Sequence, residues 1–249
     1  MPMDYASHRV VAVIPVYNEV GKIGKVISKF SRRFVDEVCL VVDSPSDTIR
    51  NEIKDSVKAI DVPLHVIENN RRRGIGYAIR LGIRYALENS FDIIVVLAGN
   101  NKDDPGEIPR FLDSIIHNDY DYVQGSRFLH GGLQEKTPFF RGIFIRIYPL
   151  LWSFLTKVPC TDVTNGFRAY KTKIFKDKSI NIWQDWLDSY ELEYYIHYKA
   201  LTLGFKTREV PVSKIYPHRN RGGYSKIDPF RDFWNILRPL FYLSLGVRK

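Results

Sequence analysis

Val10-Val11-Ala12-Val13-Ile14-Pro15 is the stretch that decides the fold. It is short, apolar and mostly β-branched, with no polar alternation. A strand with one wet face alternates polar and apolar residues. A run like this one is covered on both faces, as in a parallel sheet with helices above and below. Three similar runs follow: Val38–Val42, Leu64–Glu68 and Ile93–Leu97. Helical spacing fills the gaps. Val20–Phe34 places Ile23, Val26, Ile27, Phe30 and Phe34 on one face. Ser46–Ile60 reads as a second helix. Gly74–Asn89 turns Ile75, Ala78, Ile79, Ile83, Ala86 and Leu87 inward. Strands alternating with helices predict an α/β fold with a doubly wound sheet. Ligands of such sheets bind outside the carboxyl ends of the strands. That rule points to Pro15–Glu19, Asp43–Asp47, Asn69–Gly76 and Ala98–Asp104.

The second half is less regular. Tyr122–Gly125 reads as a strand. Arg141–Lys157 reads as an apolar helix, and Pro149 inside it predicts a kink or break. Asp162–Tyr170 is a loop with a short strand, Trp186–Leu203 a helix and Lys206–Tyr216 a strand. His218–Lys226 is basic and glycine-rich and reads as a mobile loop. Asp228–Gly246 is a final helix rich in aromatic residues. No internal repeat is visible.

The chain has 249 residues, 45% hydrophobic and 26% charged. That composition supports a core and excludes the disordered classes. The length suits one large domain or two small ones. A net charge of +9 favours polyanionic partners: nucleotide diphosphates, nucleic acid or an anionic membrane. The basic residues gather in loops over strand ends and not along one helix face, which argues against nucleic acid. Cys39 and Cys160 are too few for a disulfide scaffold and read as buried free thiols. Met1–Arg9 has no apolar stretch, so no secretory signal is expected. No window reaches the roughly 18 uninterrupted apolar residues of a membrane span.

Several residues suit chemistry at the predicted sheet edge. Asp43 ends the second strand. Its carboxylate can accept from a base or ribose, or it can cap the Ser44-Pro45-Ser46 turn. In Asn69-Asn70-Arg71-Arg72-Arg73-Gly74-Ile75-Gly76, glycines would let backbone N–H groups approach phosphate, with arginines adding charge. The plainer reading is a solvated basic turn. In Asn100-Asn101-Lys102-Asp103-Asp104-Pro105, side-chain oxygens suit Mg²⁺ or Mn²⁺, while Asp104 reads as the cap of a helix starting at Pro105. Arg127, Arg141, Arg168, Arg219 and Arg221 fall in or near loops, and together they suggest anion binding.

Read together, these segments resemble glycosyltransferases of family 2 with the GT-A fold, in the dolichol-phosphate mannose synthase-like, polyprenyl-phosphate branch. The resemblance spans about residues 9–227. It rests on Pro15-Val16-Tyr17-Asn18-Glu19, on Val41-Val42-Asp43 with Ser46 and Asp47, and on Arg73-Gly74-Ile75-Gly76-Tyr77-Ala78. It continues through Gly125-Ser126-Arg127-Phe128, Asp162–Tyr170, Tyr190-Glu191-Leu192-Glu193 and Gly223-Tyr224-Ser225-Lys226. Each motif is weak alone, but seven in order are strong.

The resemblance implies inverting transfer from a nucleotide-diphosphate sugar to a polyprenyl phosphate. Pro15, Tyr17, Glu19, Asp43, Arg73, Gly74, Gly76, Arg219 and Lys226 would hold the donor. Arg127, Arg141 and one of Arg219 or Arg221 would face the acceptor phosphate. The chain departs from the family in two places. Ile145 stands where a phosphate-binding serine is frequent. Ala98-Gly99-Asn100 stands where Asp-x-Asp binds the metal, and Lys102 stands where a glutamine is frequent. Asn100 keeps an oxygen without charge, so Asp103 is expected to take over as metal ligand, or Lys102 to neutralise the diphosphate itself. Two rival readings follow: a family 2 enzyme with a saccharide or other hydroxyl acceptor, using Glu191 or Asp162 as base, and a non-catalytic nucleotide-sugar-binding homologue. Residues 1–227 are expected to form the transferase domain and 228–249 a C-terminal amphipathic helix. With Arg141–Lys157, that helix would rest on the membrane. The expected location is cytoplasmic and peripheral, on the inner face. The sequence fixes no oligomeric state.

Overall fold

The computed structural model describes residues 5, 7–58, 60–135, 139–216 and 231–248, with the backbone alone for 139–141 and 231–233. The first half alternates as its sequence predicts: β1 (Val10–Val16), α1 (Ile23–Ile27), β2 (Glu37–Asp43), α2 (Asp47–Val57), β3 (Leu64–Asn69), α3 (Ile75–Glu88) and β4 (Ile93–Val96). The chain continues through α4 (Ile108–Leu112), β5 (Tyr122–Ser126), β6 (Leu133–Glu135), α5 (Phe139–Thr156) and β7 (Arg168–Lys171). It ends with α6 (Glu191–Thr202), β8 (Thr207–Pro211), β9 (Ser213–Ile215) and α7 (Arg231–Ser244).

Seven strands form one sheet in the order β3-β2-β1-β4-β7-β5-β8. β7 runs antiparallel to both its neighbours, and the other pairs are parallel. The GT-A type of mostly parallel sheet between helical layers is therefore present. The uniform apolarity of the strands has its expected cause. Val10, Ala12, Ile14 and Val16 of β1 bury into one core with α1, α2 and α4. Val11 and Val13 bury into a second core with α3 and α6. A third core joins Tyr148 and Trp152 of α5, Tyr194 of α6, and Ile236 and Leu240 of α7. Both cysteines are free and buried; burial pushes the Cys39 thiol up to about 12 and that of Cys160 to about 11.

Four boundaries differ from the sequence reading, each for a local reason. The helix expected over Val20–Phe34 shrinks to α1. Gly21 lies at φ 73°, and the N–H groups of Gly21 and Gly24 donate to the Glu52 carboxylate of α2, which fixes the start of α1; past Ile27 the N–H groups of Lys29 and Phe30 turn back only three residues, to Val26 and Ile27, and the helix ends there. The break expected at Pro149 does not occur. α5 runs through the buried proline, whose carbonyl accepts from Ser153 Oγ at 2.9 Å. The helix expected from Trp186 begins only at Glu191, because the backbone at 187–189 is used against α3. The strand expected over Lys206–Tyr216 divides at Val212: β8 joins the main sheet, while β9 pairs with β6 in a separate two-stranded sheet. The loop expected over His218–Lys226, and the boundary expected at residue 227, lie outside the described residues. Among the described residues no helix is long and apolar enough to cross a membrane.

One contact sets the spacing of α3 against the sheet. A Cβ on Gly82 would lie 2.2 Å from Val13 Cγ1 and 2.9 Å from Cγ2. Val13 is fully buried and stiff at χ1, so it has nowhere to turn. Gly82→Ala is expected to destabilise the protein by about 1–3 kcal/mol through overpacking, although alanine is the better helix former. Urea unfolding checks this, and Val13→Ala in the same chain should recover part of the loss.

Candidate active site

The sheet has one topological switch point. From β1 the chain goes through α1 to β2 on one side. β4, reached through α3 on the opposite face, lies on the other. The crevice outside the carboxyl ends of β1 and β4 is where such a sheet takes its ligand. Backbone strain gathers at this edge. Asn18, Ser44 and Asn101 follow β1, β2 and β4 with φ of 50°, 49° and 57°; they are half of the non-glycine residues with positive φ among those described. Left-handed backbone in ordinary residues is costly and clusters at functional turns.

Of the residues expected to hold the donor, Pro15 lies within β1, opposite Val41. Tyr17 is exposed, and the Arg72 guanidinium lies 4.4 Å from its ring centroid. Glu19 is buried and holds Lys22 Nζ at 3.0 Å. Asp43 is buried and latches the loop after β3. Its Oδ1 accepts from Asn69 Nδ2 at 2.7 Å, and its Oδ2 accepts from the N–H groups of Arg73 and Gly74 at 3.0 and 3.1 Å. The cap suggested for its own turn belongs instead to Ser46, which accepts from Ile49 N–H. Arg73 stacks on Tyr77 at 3.9 Å, and both line a cleft of about 470 Å³ with Glu68, Asn69, Asn70 and Arg71.

The glycines of this loop have a reason besides the one sequence suggests. A Cβ on Gly74 would lie 2.3 Å from the Asp188 carbonyl oxygen, and one on Gly76 would lie 2.2 Å from that of Leu187. Tyr77 N–H donates to the same Asp188 carbonyl at 3.1 Å. These glycines admit a neighbouring backbone, a structural reason for their small size that stands beside the phosphate approach expected from sequence.

At the end of β4, Asn100 Oδ1 accepts from Lys102 N–H at 3.1 Å, closing an Asx turn. Lys102 Nζ lies 4.5 Å from the Tyr216 ring centroid, and its carbonyl accepts from Ile215 N–H at 3.0 Å. Asp103 is buried, and its two oxygens take Lys214 Nζ at 2.8 and 3.1 Å; Lys214 also reaches Asn165 Oδ1 at 3.2 Å. Asp103 is thus engaged by an ammonium and not open to a metal. Asp104 caps the following turn as expected, accepting from Gly106 N–H. Among the described residues, no three His, Cys, Asp or Glu side chains converge as a metal site.

Of the residues expected to face the acceptor, Arg127 does not present its charge outward. Its Nε and Nη2 donate to the two Asp162 oxygens at 2.6 and 2.7 Å, and Nη2 also donates to Thr164 Oγ1. Burial alone would lower this guanidinium's pKa, but Asp162 outweighs it and holds the pKa above its usual value. Arg168 is not in a loop. It is fully buried in β7, donating to the carbonyls of Val163, Asn165 and Glu193, and so has no part in binding an external anion. The Arg141 side chain and all of Arg219, Arg221 and Lys226 lie outside the described residues. Ile145 is buried. Of the two carboxylates suggested as bases, Asp162 is closed by Arg127, and Glu191 is buried with Oε1 paired to Arg238 and Oε2 without a partner among the described residues.

Sequence reasoning missed Lys214 and Arg146. The signal for Lys214 was present, since Val212, Lys214 and Tyr216 alternate at period two and all three are buried. Arg146 lines a cleft of about 500 Å³ with Arg127, Phe128, Leu129, Leu150 and Thr161, its guanidinium 5.4 Å from the Phe128 ring centroid.

Asp43→Ala removes the acceptor of three N–H donors, one of them an amide side chain. It is expected to cost about 2–4 kcal/mol, since hydrogen bonds to a charged group are strong and their donors are partly buried. It should also loosen the 69–74 loop. Urea unfolding and hydrogen exchange at Arg73 and Gly74 check both; wild-type protection there would mean that water replaces the carboxylate.

The glycosyl transferase family 2 model matches residues 11–178. The undecaprenyl-phosphate mannosyltransferase of Micrococcus luteus is 26% identical over 207 residues, 83% of this chain and 84% of that protein. The dolichyl-phosphate hexose transferase of Haloferax volcanii is 27% identical, covering 91% and 90%. Among solved structures, glucosyl-3-phosphoglycerate synthase from Mycobacterium tuberculosis, in complex with Mn²⁺, UDP and its product, superposes with a TM-score of 0.68. It shares 17% identity over 98% of this chain and 82% of that one, a likeness of fold alone. With the switch-point crevice and its motifs in place, this chain belongs to glycosyl transferase family 2 and is a nucleotide-sugar-dependent glycosyltransferase of the dolichol-phosphate mannose synthase-like kind.

Proposed function

We propose that this enzyme transfers a sugar, with inversion, from a nucleotide-diphosphate sugar to a polyprenyl (dolichyl-type) phosphate while resting on the inner, cytoplasmic face of a membrane. The observation that carries this reading is an apolar stripe that meets a cationic cleft. Ile143, Ile147, Leu150 and Phe154 are spaced along one face of α5 and are 43, 59, 67 and 79% exposed. Leu150 belongs to the stripe and also lines the cleft that holds Arg146. An isoprenoid chain suits the stripe and a phosphate suits the guanidinium. A water-soluble sugar gains nothing from the stripe. Trp234, Phe241 and Leu245 add exposed apolar surface on and just beyond α7. Basic residues among apolar ones favour an anionic lipid surface.

The chemistry agrees. A phosphate oxygen is anionic at neutral pH and needs no general base. A hydroxyl acceptor needs one, and both Asp162 and Glu191 are locked in ion pairs. The names of the Micrococcus luteus and Haloferax volcanii relatives support the same acceptor class. Arg141, Arg219 and Arg221 remain candidates for the acceptor phosphate, with Arg146 added. Tyr17, Asp43 and Arg73 remain candidates for the donor side.

The test is transfer of radiolabelled sugar from nucleotide sugars to polyprenyl phosphate in detergent, beside water-soluble acceptors. Label in the organic phase is expected. Label only in a soluble glycoside would overturn the acceptor. Phe154→Glu, at an exposed position, should lower co-sedimentation with phosphatidylglycerol vesicles by about tenfold or more, as loss of one buried aromatic anchor implies. Unchanged sedimentation would remove the membrane from the proposal.

A further inference from the structure

A divalent cation beside a diphosphate needs hard, anionic oxygen ligands. The residues at the end of β4 do not fit one. Ala98 has no ligand atom. Asn100 Oδ1 is neutral and turned into its Asx turn, and Asp103 is buried with its charge already balanced by the Lys214 ammonium. Asn101 Oδ1 is buried and accepts no hydrogen bond, but it is a single neutral oxygen.

The loop carries a positioned cation instead. Residues 214–216 clamp it three times in succession. The Lys214 ammonium holds Asp103, Ile215 N–H holds the Lys102 carbonyl, and the Tyr216 ring lies against the Lys102 ammonium. A strand pinning a loop in this way lowers the loop's freedom and fixes where the half-buried lysine can reach. The loop also sits at the switch point. A Cβ on Gly99 would lie within 3.4 Å of the side chains of Ile14, Val16 and Ile23, at the end of β1 and the start of α1.

We infer that Lys102 neutralises the departing diphosphate in the role a divalent cation takes in other transferases of this fold, and that transfer needs no metal. The inference rests on the nucleotide-sugar reading of the site. As the acceptor phosphate oxygen bonds to the anomeric carbon, the bond from that carbon to the diphosphate oxygen breaks and its electron pair stays on the oxygen. The ammonium meets this charge with a hydrogen bond and keeps its proton. A charge already held in place costs no reorganisation when the bond breaks. The Asp103–Lys214 pair is a positioning device, because it holds the residue next to the working lysine.

The experiment uses the full chain after exhaustive chelation. Binding of UDP and of GDP is measured by calorimetry in EDTA and again with Mn²⁺, and the Mn²⁺ resonance is followed by electron paramagnetic resonance. One nucleotide should bind with an affinity that Mn²⁺ changes by less than about threefold, and the protein should retain no Mn²⁺ beyond what the free nucleotide takes. Lys102→Gln should weaken diphosphate binding by about tenfold or more, as expected on losing one charge-assisted contact, while Lys102→Arg keeps most of it. Binding of the corresponding nucleoside, which has no phosphate, should not change. Binding that appears only with Mn²⁺, or a Lys102→Gln chain that binds like wild type, would overturn the inference and leave the nucleotide-sugar reading standing. Failure of both nucleotides under both conditions would overturn that reading and the inference with it.

Discussion

The clasp between Arg127 and Asp162 is the contact on which the β5 side of the crevice, the proposed acceptor side, depends. Both side chains are essentially out of water, and the guanidinium meets the carboxylate through two parallel hydrogen bonds. A charge at such a depth is tolerable only with its partner, and removing either one strands the other. The clasp joins the end of β5 to the segment after α5. From that segment Asn165 reaches Lys214, and Lys214 reaches Asp103 behind the β4 loop. Glu209 of β8 completes the frame by accepting from the N–H groups of Thr161 and Asp162. Burial raises the Glu209 pKa, and these donors work against that. One buried polar network therefore runs from the acceptor side to the loop beside the donor.

The two sides of the crevice are built by different means. The donor side is shaped by backbone: a carboxylate latch at Asp43, glycines that let α3 meet the 187–189 segment, and arginines stacked on Tyr17 and Tyr77. The acceptor side is shaped by side chains, with guanidinium groups set among aromatic and aliphatic surface. This division suits the proposed reaction, in which a rigid nucleotide would be held by shape and a long flexible lipid by its head and first few carbons.

What sequence could reveal followed from periodicity. The four leading strands and α3 stand within a residue or two of where their apolar runs place them; β1, β2 and β4 are buried on both faces, while β3, at the sheet edge, is half-exposed. The failures came where a distant partner decides a local outcome. Nothing near Val20 says that Glu52 will take the N–H groups at the start of α1. Nothing near Gly74 says that the backbone at Asp188 will press on it. Arg127 and Arg168 read as surface cations because arginine usually is one; only the fold brings Asp162 and three carbonyls to them. Asp103 read as a ligand for the same reason, since its lysine lies far along the chain. Lys214 was the recoverable miss, because strand alternation already turned it inward.

The strand order carries a consequence for synthesis. β4 is complete by residue 96, yet its neighbour β7 begins at Arg168. Until then the growing chain holds β3-β2-β1-β4 with one flank of β4 bare: Ile93, Ile94, Val95 and Val96, a row of aliphatic residues with open peptide groups. β5 emerges first but cannot cover that flank, since in the finished sheet it lies beyond β7. Such a flank invites pairing with another nascent chain. At about 5–20 residues added per second, the roughly 70 residues still to come keep it open for several seconds on the ribosome. Only the antiparallel return of β7 between β4 and β5 closes that flank.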